Sequence, residues 1–160
     1  MEAIVAVYSD WGIGRDGTQP VALRADRSFF RKTTAGAAVL CGRRTAEDFP
    51  GGKPLPNRVN YLLTRRGQAP AGFLPVRSVE EALEAARGRE RFFVIGGASV
   101  YRAMLPYCSR VYVTKLEIDP GSDVFFPDLD SSPDWALRSA SPRQEEDDVP
   151  YTFCVYERKK

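Results

Sequence analysis

The chain reads as one α/β domain. Its core is a central mixed, mostly parallel sheet of eight strands, with an antiparallel pair of strands at the C-terminal end and about four flanking helices. Three observations predict this. Short runs of consecutive apolar residues, such as Ile4-Val5-Ala6-Val7 and Phe92-Phe93-Val94-Ile95, suit strands buried on both faces of a parallel sheet. These runs alternate with helical patterns through residue 118, as in strand–helix–strand units. The length of 160 residues suits a single domain with a real core, and no repeat or linker interrupts it.

Residues 3–8 are the first expected strand. In the following segment, 9–22, Gly12, Gly14 and Gly17 match the G-x-G-x-x-G dinucleotide fingerprint. That fingerprint requires a helix after the first glycine turn. Here Asp16-Gly17 and Pro20 are turn and breaker signals, so a long mobile loop fits better. Leu23 to Thr33 is expected to be a helix, with Ala25, Phe29, Phe30 and Thr33 on one face. Asp26 borders that face, where a carboxylate is desolvated and its pKa raised unless something pairs with it. The plainer reading is a first-turn aspartate favoured by the helix dipole.

Ala37 to Cys41 is the second strand, and Gly42-Arg43-Arg44-Thr45 opens a short helix. An arginine pair beside a helix start makes a phosphate clamp or a solvated basic turn. Residues 51–57 form a loop. Arg58 to Thr64 is a third strand, ending in a second pair, Arg65-Arg66. Two such pairs at strand ends favour one polyanionic ligand lying across the sheet edge.

Phe73 to Val76 is a short strand. Ser78-Val79-Glu80-Glu81 is a capping box that opens a helix through Ala86. The buried run 92–95 breaks at Gly96-Gly97, and a helix follows from Ala98 to Leu105. These glycines lie between a strand end and a helix start, which suits a phosphate or, more simply, a tight turn with no ligand. Arg110 to Ile118 alternates like a strand, and 121–128 is a loop. Trp135 to Ser141 and Tyr151 to Arg158 are the antiparallel C-terminal strands. The acidic run Glu145 to Asp148 between them reads as a solvated hairpin loop rather than a metal site.

Composition narrows the chemistry. The net charge is +2 with both signs mixed, too weak a bias for nucleic acid or a membrane surface. No apolar run approaches the roughly 20 residues of a membrane helix, and the start shows no signal peptide. The three cysteines are far apart and read as free, packed thiols of a reducing, cytoplasmic protein. There is no histidine, which removes His-based triads and His-ligated metal sites. A general acid must then be a carboxyl group, Lys, Tyr, Cys or water. No metal is implied.

Taken in order, several pieces resemble the dihydrofolate reductase family over essentially the full length. They are the first strand with Gly12-Ile13-Gly14; Leu23 to Thr34 with Asp26 and Phe30; Gly42-Arg43-Arg44-Thr45; Pro54-Leu55-Pro56-Asn57-Arg58; Val94-Ile95-Gly96-Gly97-Ala98-Ser99-Val100-Tyr101; Tyr112-Val113-Thr114; and Phe126-Pro127-Asp128. No single piece is decisive, but all of them in this order are highly specific. The resemblance implies reduction of 7,8-dihydrofolate to tetrahydrofolate with NADPH. It implies a monomer whose ligands are dihydrofolate and antifolates. Asp26 would bind the pterin's 2-amino group and ring N–H and favour protonation at N5 before hydride reaches C6, with Thr114 hydrogen-bonding the carboxylate.

The other site residues follow from the same resemblance. Ile4, Val5, Ala6 and Ile95 would line the pterin pocket, with Phe30, Phe49 and Leu55 packing on the substrate and Arg27 beside it. Arg58 would pair with the glutamate α-carboxylate, and Tyr101 would lie near the nicotinamide. On the cofactor side, Gly96 and Gly97 would let backbone approach the pyrophosphate. Arg43, Arg44 and Thr45 would hold phosphates, and Arg65 would lie by the 2′-phosphate. Ala6, Ile13, Gly14, Gly42, Thr64, Ile95, Ala98, Ser99, Val100 and Tyr101 would also contact the cofactor. Residues 9–22 correspond to the mobile active-site loop, and 121–126 to the loop that supports it.

The chain departs from the family at four positions. Val21 and Ala46 stand where tryptophan is usual, and Arg27 stands where leucine is common. Ser122 replaces a common aspartate, which is expected to weaken loop closure. Val21 cannot donate the hydrogen bond that orders a water near the carboxylate. Arg27 would lower the Asp26 pKa and crowd small antifolates if it faced the pocket. The expectation is reduced sensitivity to trimethoprim-like diaminopyrimidines. Two alternatives stand beside the main reading: a related NADPH-dependent ribosylamino-pyrimidine reductase, and a non-catalytic pteridine- or nucleotide-binding domain.

Overall fold

The first strand, β1 (Glu2–Val7), lies in the middle of the main sheet, and its burial on both faces follows from its apolar run. The computed structural model describes residues 1–160. In chain order the next elements are β2 (Gly12–Gly14), α1 (Arg24–Thr34), β3 (Ala38–Gly42), α2 (Arg43–Glu47), β4 (Val59–Leu63), β5 (Phe73–Val76) and α3 (Val79–Arg87). They are followed by β6 (Phe92–Gly96), α4 (Ala98–Met104), β7 (Arg110–Leu116), β8 (Val124–Phe125), β9 (Trp135–Ala140), β10 (Gln144–Glu146) and β11 (Val149–Arg158).

The sheet runs β10-β11-β7-β1-β6-β3-β4-β5, with β9 also paired to β11. From β7 to β5 every pairing is parallel. β11 is antiparallel to β7, and its outer edge carries β10 beside its first residues and β9 beside its last. Side chains alternate across each strand. Val5, Leu40 and Val94 therefore join the core under α3 and α4, while Ile4, Val39, Phe93 and Ile95 join the core under α1 and α2. Each fully buried aliphatic side chain of this kind stabilises the fold by about 1.5–3 kcal/mol. No helix is long and apolar enough to cross a membrane.

Three expectations need correction. The main sheet has nine strands rather than eight, because Gln144 to Glu146 pairs with Val149 to Tyr151. The acidic run is therefore half strand, and only Asp147 and Asp148 form the turn. Second, 121–128 is not all loop: β8 pairs with β2 and makes a small sheet of its own out of segment 9–22. Third, the capping box at α3 is offset. Ser78 Oγ accepts from the Glu81 N–H at 3.1 Å, but Glu81 reaches back to the Arg77 N–H at 2.7 Å instead of to Ser78.

Candidate active site

The cleft exists because two central strands part. β1 pairs with β7 over six residues but with β6 only at Glu2–Phe93 and Ala3–Val94. Beyond those pairs the carboxyl ends of β1, β3 and β6 open onto a groove of about 690 Å³, the usual ligand position in an open parallel sheet. Val5, Ala6, Ile13, Gly14, Phe49, Ile95 and Tyr101 line it on the apolar side. The Tyr101 hydroxyl donates to the Ile4 carbonyl at 2.6 Å, tying α4 to β1 at the point of divergence.

α1 places Asp26 at the start of the helix, on its half-buried side. Burial raises the carboxyl pKa above the usual carboxylate range. The Thr114 hydroxyl, donating to the carboxylate, and the Arg27 charge pull it partly back down. The desolvated reading of Asp26 thus prevails over a simple dipole-favoured surface aspartate. Its charge also acts on the phenols of Tyr8 and Tyr101. Arg27 itself is exposed and lies outside the groove lining, and its charge acts on Glu146 as well.

On α1, Phe29 stacks on Phe153 at 4.5 Å and so faces the C-terminal strands. Phe30 faces the other way, toward Arg58, whose guanidinium lies 6.0 Å from the ring centroid. Arg58 is held in place by two donated bonds, Nε to the Pro56 carbonyl at 2.9 Å and an NH1 bond to Thr34 Oγ1 at 3.0 Å. Leu55 is bracketed by Asn60, which accepts its N–H and donates to its carbonyl, both at 3.0 Å. Phe49 is parallel to Phe73 at 6.2 Å. Of these residues Phe49 lines the groove.

The opposite end is backbone and cations. Gly96 has φ +129°, where a side chain is strained, and a Cβ on Gly97 would come 3.3 Å from Thr45 Oγ1. Gly42, Arg43, Arg44, Thr45, Ala98 and Ser99 complete the lining. Val100 does not: it is buried against Gly42 and belongs to the core. Arg43 is already engaged, donating to Thr64 Oγ1 at 3.2 Å and to the Gln68 carbonyl at 2.9 Å. The Thr64 hydroxyl also donates to the Arg66 carbonyl, so it braces the turn after β4 rather than standing free. Arg65 is exposed beside that turn, outside the groove lining. The sequence reading missed Arg102, which joins Arg44 in the groove. Its spacing, four residues after Ala98 and three after Ser99 on one helix face, was the available signal.

Segment 9–22 closes over this groove, and Gly17, Thr18 and Gln19 reach its lining. The supporting loop stays bonded to segment 9–22 despite Ser122. The neighbouring Asp123 supplies a carboxylate, accepting the Asp16 N–H at 2.9 Å, and its own N–H donates to the Gly14 carbonyl at 3.0 Å. Ser122 adds a bond to Asp10 at 3.1 Å, and Asp10 also accepts the Gly12 N–H at 2.8 Å. Val21 is held by its backbone: the Tyr8 hydroxyl donates to its carbonyl at 2.7 Å and accepts its N–H at 3.1 Å.

This arrangement can hold a flat, partly polar ring against one carboxyl and an anionic chain against glycines and arginines. The chain is similar to known proteins. A family model described as dihydrofolate reductase matches residues 1–158. The dihydrofolate reductase of Bacillus subtilis is 37% identical over 159 residues, covering 98% of this chain and 93% of that protein. Dihydrofolate reductase HdrB of Haloferax volcanii is 37% identical over 166 residues, covering 98% and 82%. A solved dihydrofolate reductase from Enterococcus faecalis, complexed with NADP(H) and RAB-propyl, superposes with a TM-score of 0.88. It is 32% identical and covers 99% of this chain and 96% of its own. The chain belongs to the dihydrofolate reductase family.

Proposed function

We propose that this chain reduces 7,8-dihydrofolate to 5,6,7,8-tetrahydrofolate with NADPH, using Asp26 as its one acidic group in the pterin pocket. The observation that carries the reading is a half-buried carboxyl of raised pKa bonded to Thr114, whose strand partner Ala6 lines a groove of glycine backbone and arginine. The groove fits a phosphorylated dinucleotide: a Cβ at Gly97 would narrow it, and Arg44, Arg102, Thr45 and Ser99 supply donors. NADPH, when bound, supplies the hydride.

The chain's own residues bind and orient. Asp26 accepts from the 2-amino group and ring N–H of the pterin and favours protonation at N5 before hydride reaches C6, and burial raises its pKa above the usual carboxylate range. Thr114 sets the direction of the carboxyl. Arg58, pre-aimed by Pro56 and Thr34, takes the glutamate α-carboxylate of the substrate, and Phe30 and Leu55 pack on the body between the two ends. Segment 9–22 excludes water by closing against β8.

The test is loss of absorbance at 340 nm with NADPH and dihydrofolate, for the wild type beside Asp26→Asn. Turnover in the wild type that drops about 10²-fold or more in the variant supports the reading. Equal turnover in both keeps the reductase and removes Asp26 from its proton step. Absent turnover with NADPH still bound favours the ribosylamino-pyrimidine reductase or a binding domain. The same reading has the chain act as a monomer in the cytoplasm, with no nucleic-acid partner; light scattering at more than one chain's mass would count against the first point. Reduced trimethoprim sensitivity now rests on Val21 alone, since Arg27 is exposed. A nanomolar inhibition constant overturns it.

A further inference from the structure

A helix must find partners for its first N–H groups, and α1 brings none of its own. Leu23 stands at its N-cap and makes no side-chain cap bond. The partner arrives from the far end of the chain. Glu146 Oε2 accepts the Arg24 N–H at 2.7 Å, and Oε1 accepts the Ala25 N–H at 3.0 Å. The Arg24 guanidinium stands 3.9 Å from the same carboxylate, and the Glu146 side chain is only 15% exposed. Glu146 is delivered by the β10–β11 hairpin, whose turn residues Asp147 and Asp148 take φ 51° and 64°. Two successive left-handed residues make the tight turn that matches strand twist. Aspartate tolerates that conformation at some cost, so the hairpin is held in a defined shape that presents Glu146.

The segment before α1 is fixed as well. The Tyr8 hydroxyl grips Val21 through both its carbonyl and its N–H. Residues 21–25, which lead directly into Asp26, are therefore clamped from two sides: by the end of β1 and by the C-terminal hairpin.

We propose that Glu146, with Tyr8, is a positioning residue for dihydrofolate reduction: it fixes the start of α1 and thereby the placement of Asp26 in the pterin pocket. The proposal rests on the role given to Asp26. Asp26 directly follows a gripped residue, so its Cα moves when the grip is lost. Small displacements of a reacting group cost up to about 10²-fold in rate. The glycine and arginine end of the groove is built on the β3–α2 and β6–α4 turns, away from Glu146; only the Tyr8 hold on Val21 bears on segment 9–22, which also lines it.

The experiment compares Glu146→Ala, Glu146→Gln, Tyr8→Phe and the exposed neighbour Glu145→Ala with the wild type. It measures kcat and KM for dihydrofolate, NADPH affinity by fluorescence quenching, and exchange of the Arg24 and Ala25 amides. Glu146→Ala is expected to lower kcat/KM for dihydrofolate by about 10-fold or more, speed exchange of both amides and leave NADPH affinity unchanged. Gln keeps one acceptor oxygen and recovers part of the loss; Tyr8→Phe moves in the same direction as Ala; Glu145→Ala matches the wild type. Faster amide exchange with kcat/KM within twofold of wild type overturns the proposal, because the cap would then be structural only. A parallel loss of NADPH affinity also overturns it. Full turnover in Asp26→Asn removes the premise separately, whatever Glu146→Ala does.

Discussion

Asp26 titrates out of step with the unfolded chain, and that has a consequence for stability. Its folded pKa is raised, chiefly by burial. The native state therefore holds a proton that the unfolded chain releases, and folding is penalised as pH rises through the ordinary carboxylate range of about 3.9. The penalty is complete above the folded pKa. Asp26→Asn is therefore expected to melt at a higher temperature than the wild type at neutral pH, with the two converging below the ordinary range. Scanning calorimetry across pH reads this directly, and an equal melting temperature at pH 7 counts against a desolvated Asp26. The variant should gain stability while losing activity, the exchange expected of a strained functional group. Arg58 gives a second residue-level expectation. Two of its donors are spent on Pro56 and Thr34, which leaves the rest of a rigid fork for a carboxylate. Arg58→Lys loses that geometry and should raise KM for dihydrofolate about 10- to 100-fold with NADPH affinity unchanged. Both residues were legible in the sequence, Asp26 from its place beside an apolar helix face and Arg58 from the resemblance. Glu146 was not, because nothing local marks a glutamate in an acidic run as the cap of a helix that starts 122 residues earlier.

At the scale of elements, closure of segment 9–22 depends on a two-residue strand. Asp123→Ala removes the acceptor of the Asp16 N–H and is expected to lower kcat about 5-fold, the worth of one hydrogen bond near 1 kcal/mol. Gly12→Ala should be more severe. A Cβ there would lie 1.8 Å from Ser122 Oγ, so β2 and β8 could not keep their register. Stopped-flow hydride transfer separates slow closure from slow chemistry, and unchanged rates in Gly12→Ala would mean that the small sheet is not needed for closure. The long elements were readable because their pattern repeats: the apolar runs of β1, β3 and β6 and the helical faces of α1 and α4 lie within a residue or two of expectation. β8 and β10 span two and three residues, too few for any period to show. The support from Asp123 was hidden for a related reason. A one-residue offset puts Asp123 in reach, and only the backbone path reveals which neighbour faces the loop.

For the molecule as a whole, the three cysteines report on global integrity. Cys41 and Cys108 are buried, and burial pushes both thiols up to about 12, with Cys154 raised in the same direction. Protonated, enclosed thiols are poor nucleophiles. No cysteine should react with a maleimide in the native protein at pH 7.5, and all three should react together as denaturant unfolds it. Early labelling of one would reveal a locally opening region. The single α/β domain was legible because alternation of strand and helix survives without tertiary information, whereas the exact strand order, which decides where the cleft opens, depends on pairings between distant residues. That order matters most during synthesis. β1 leaves the ribosome before its only partners, β6 and β7, which begin at Phe92 and Arg110. At about 5–20 residues per second, the newborn strand Glu2–Val7 waits roughly 5–20 s, apolar on both faces, before a neighbour exists. The enzyme's central strand is thus, for that interval, its most exposed one, and the natural place for a nascent-chain chaperone to hold.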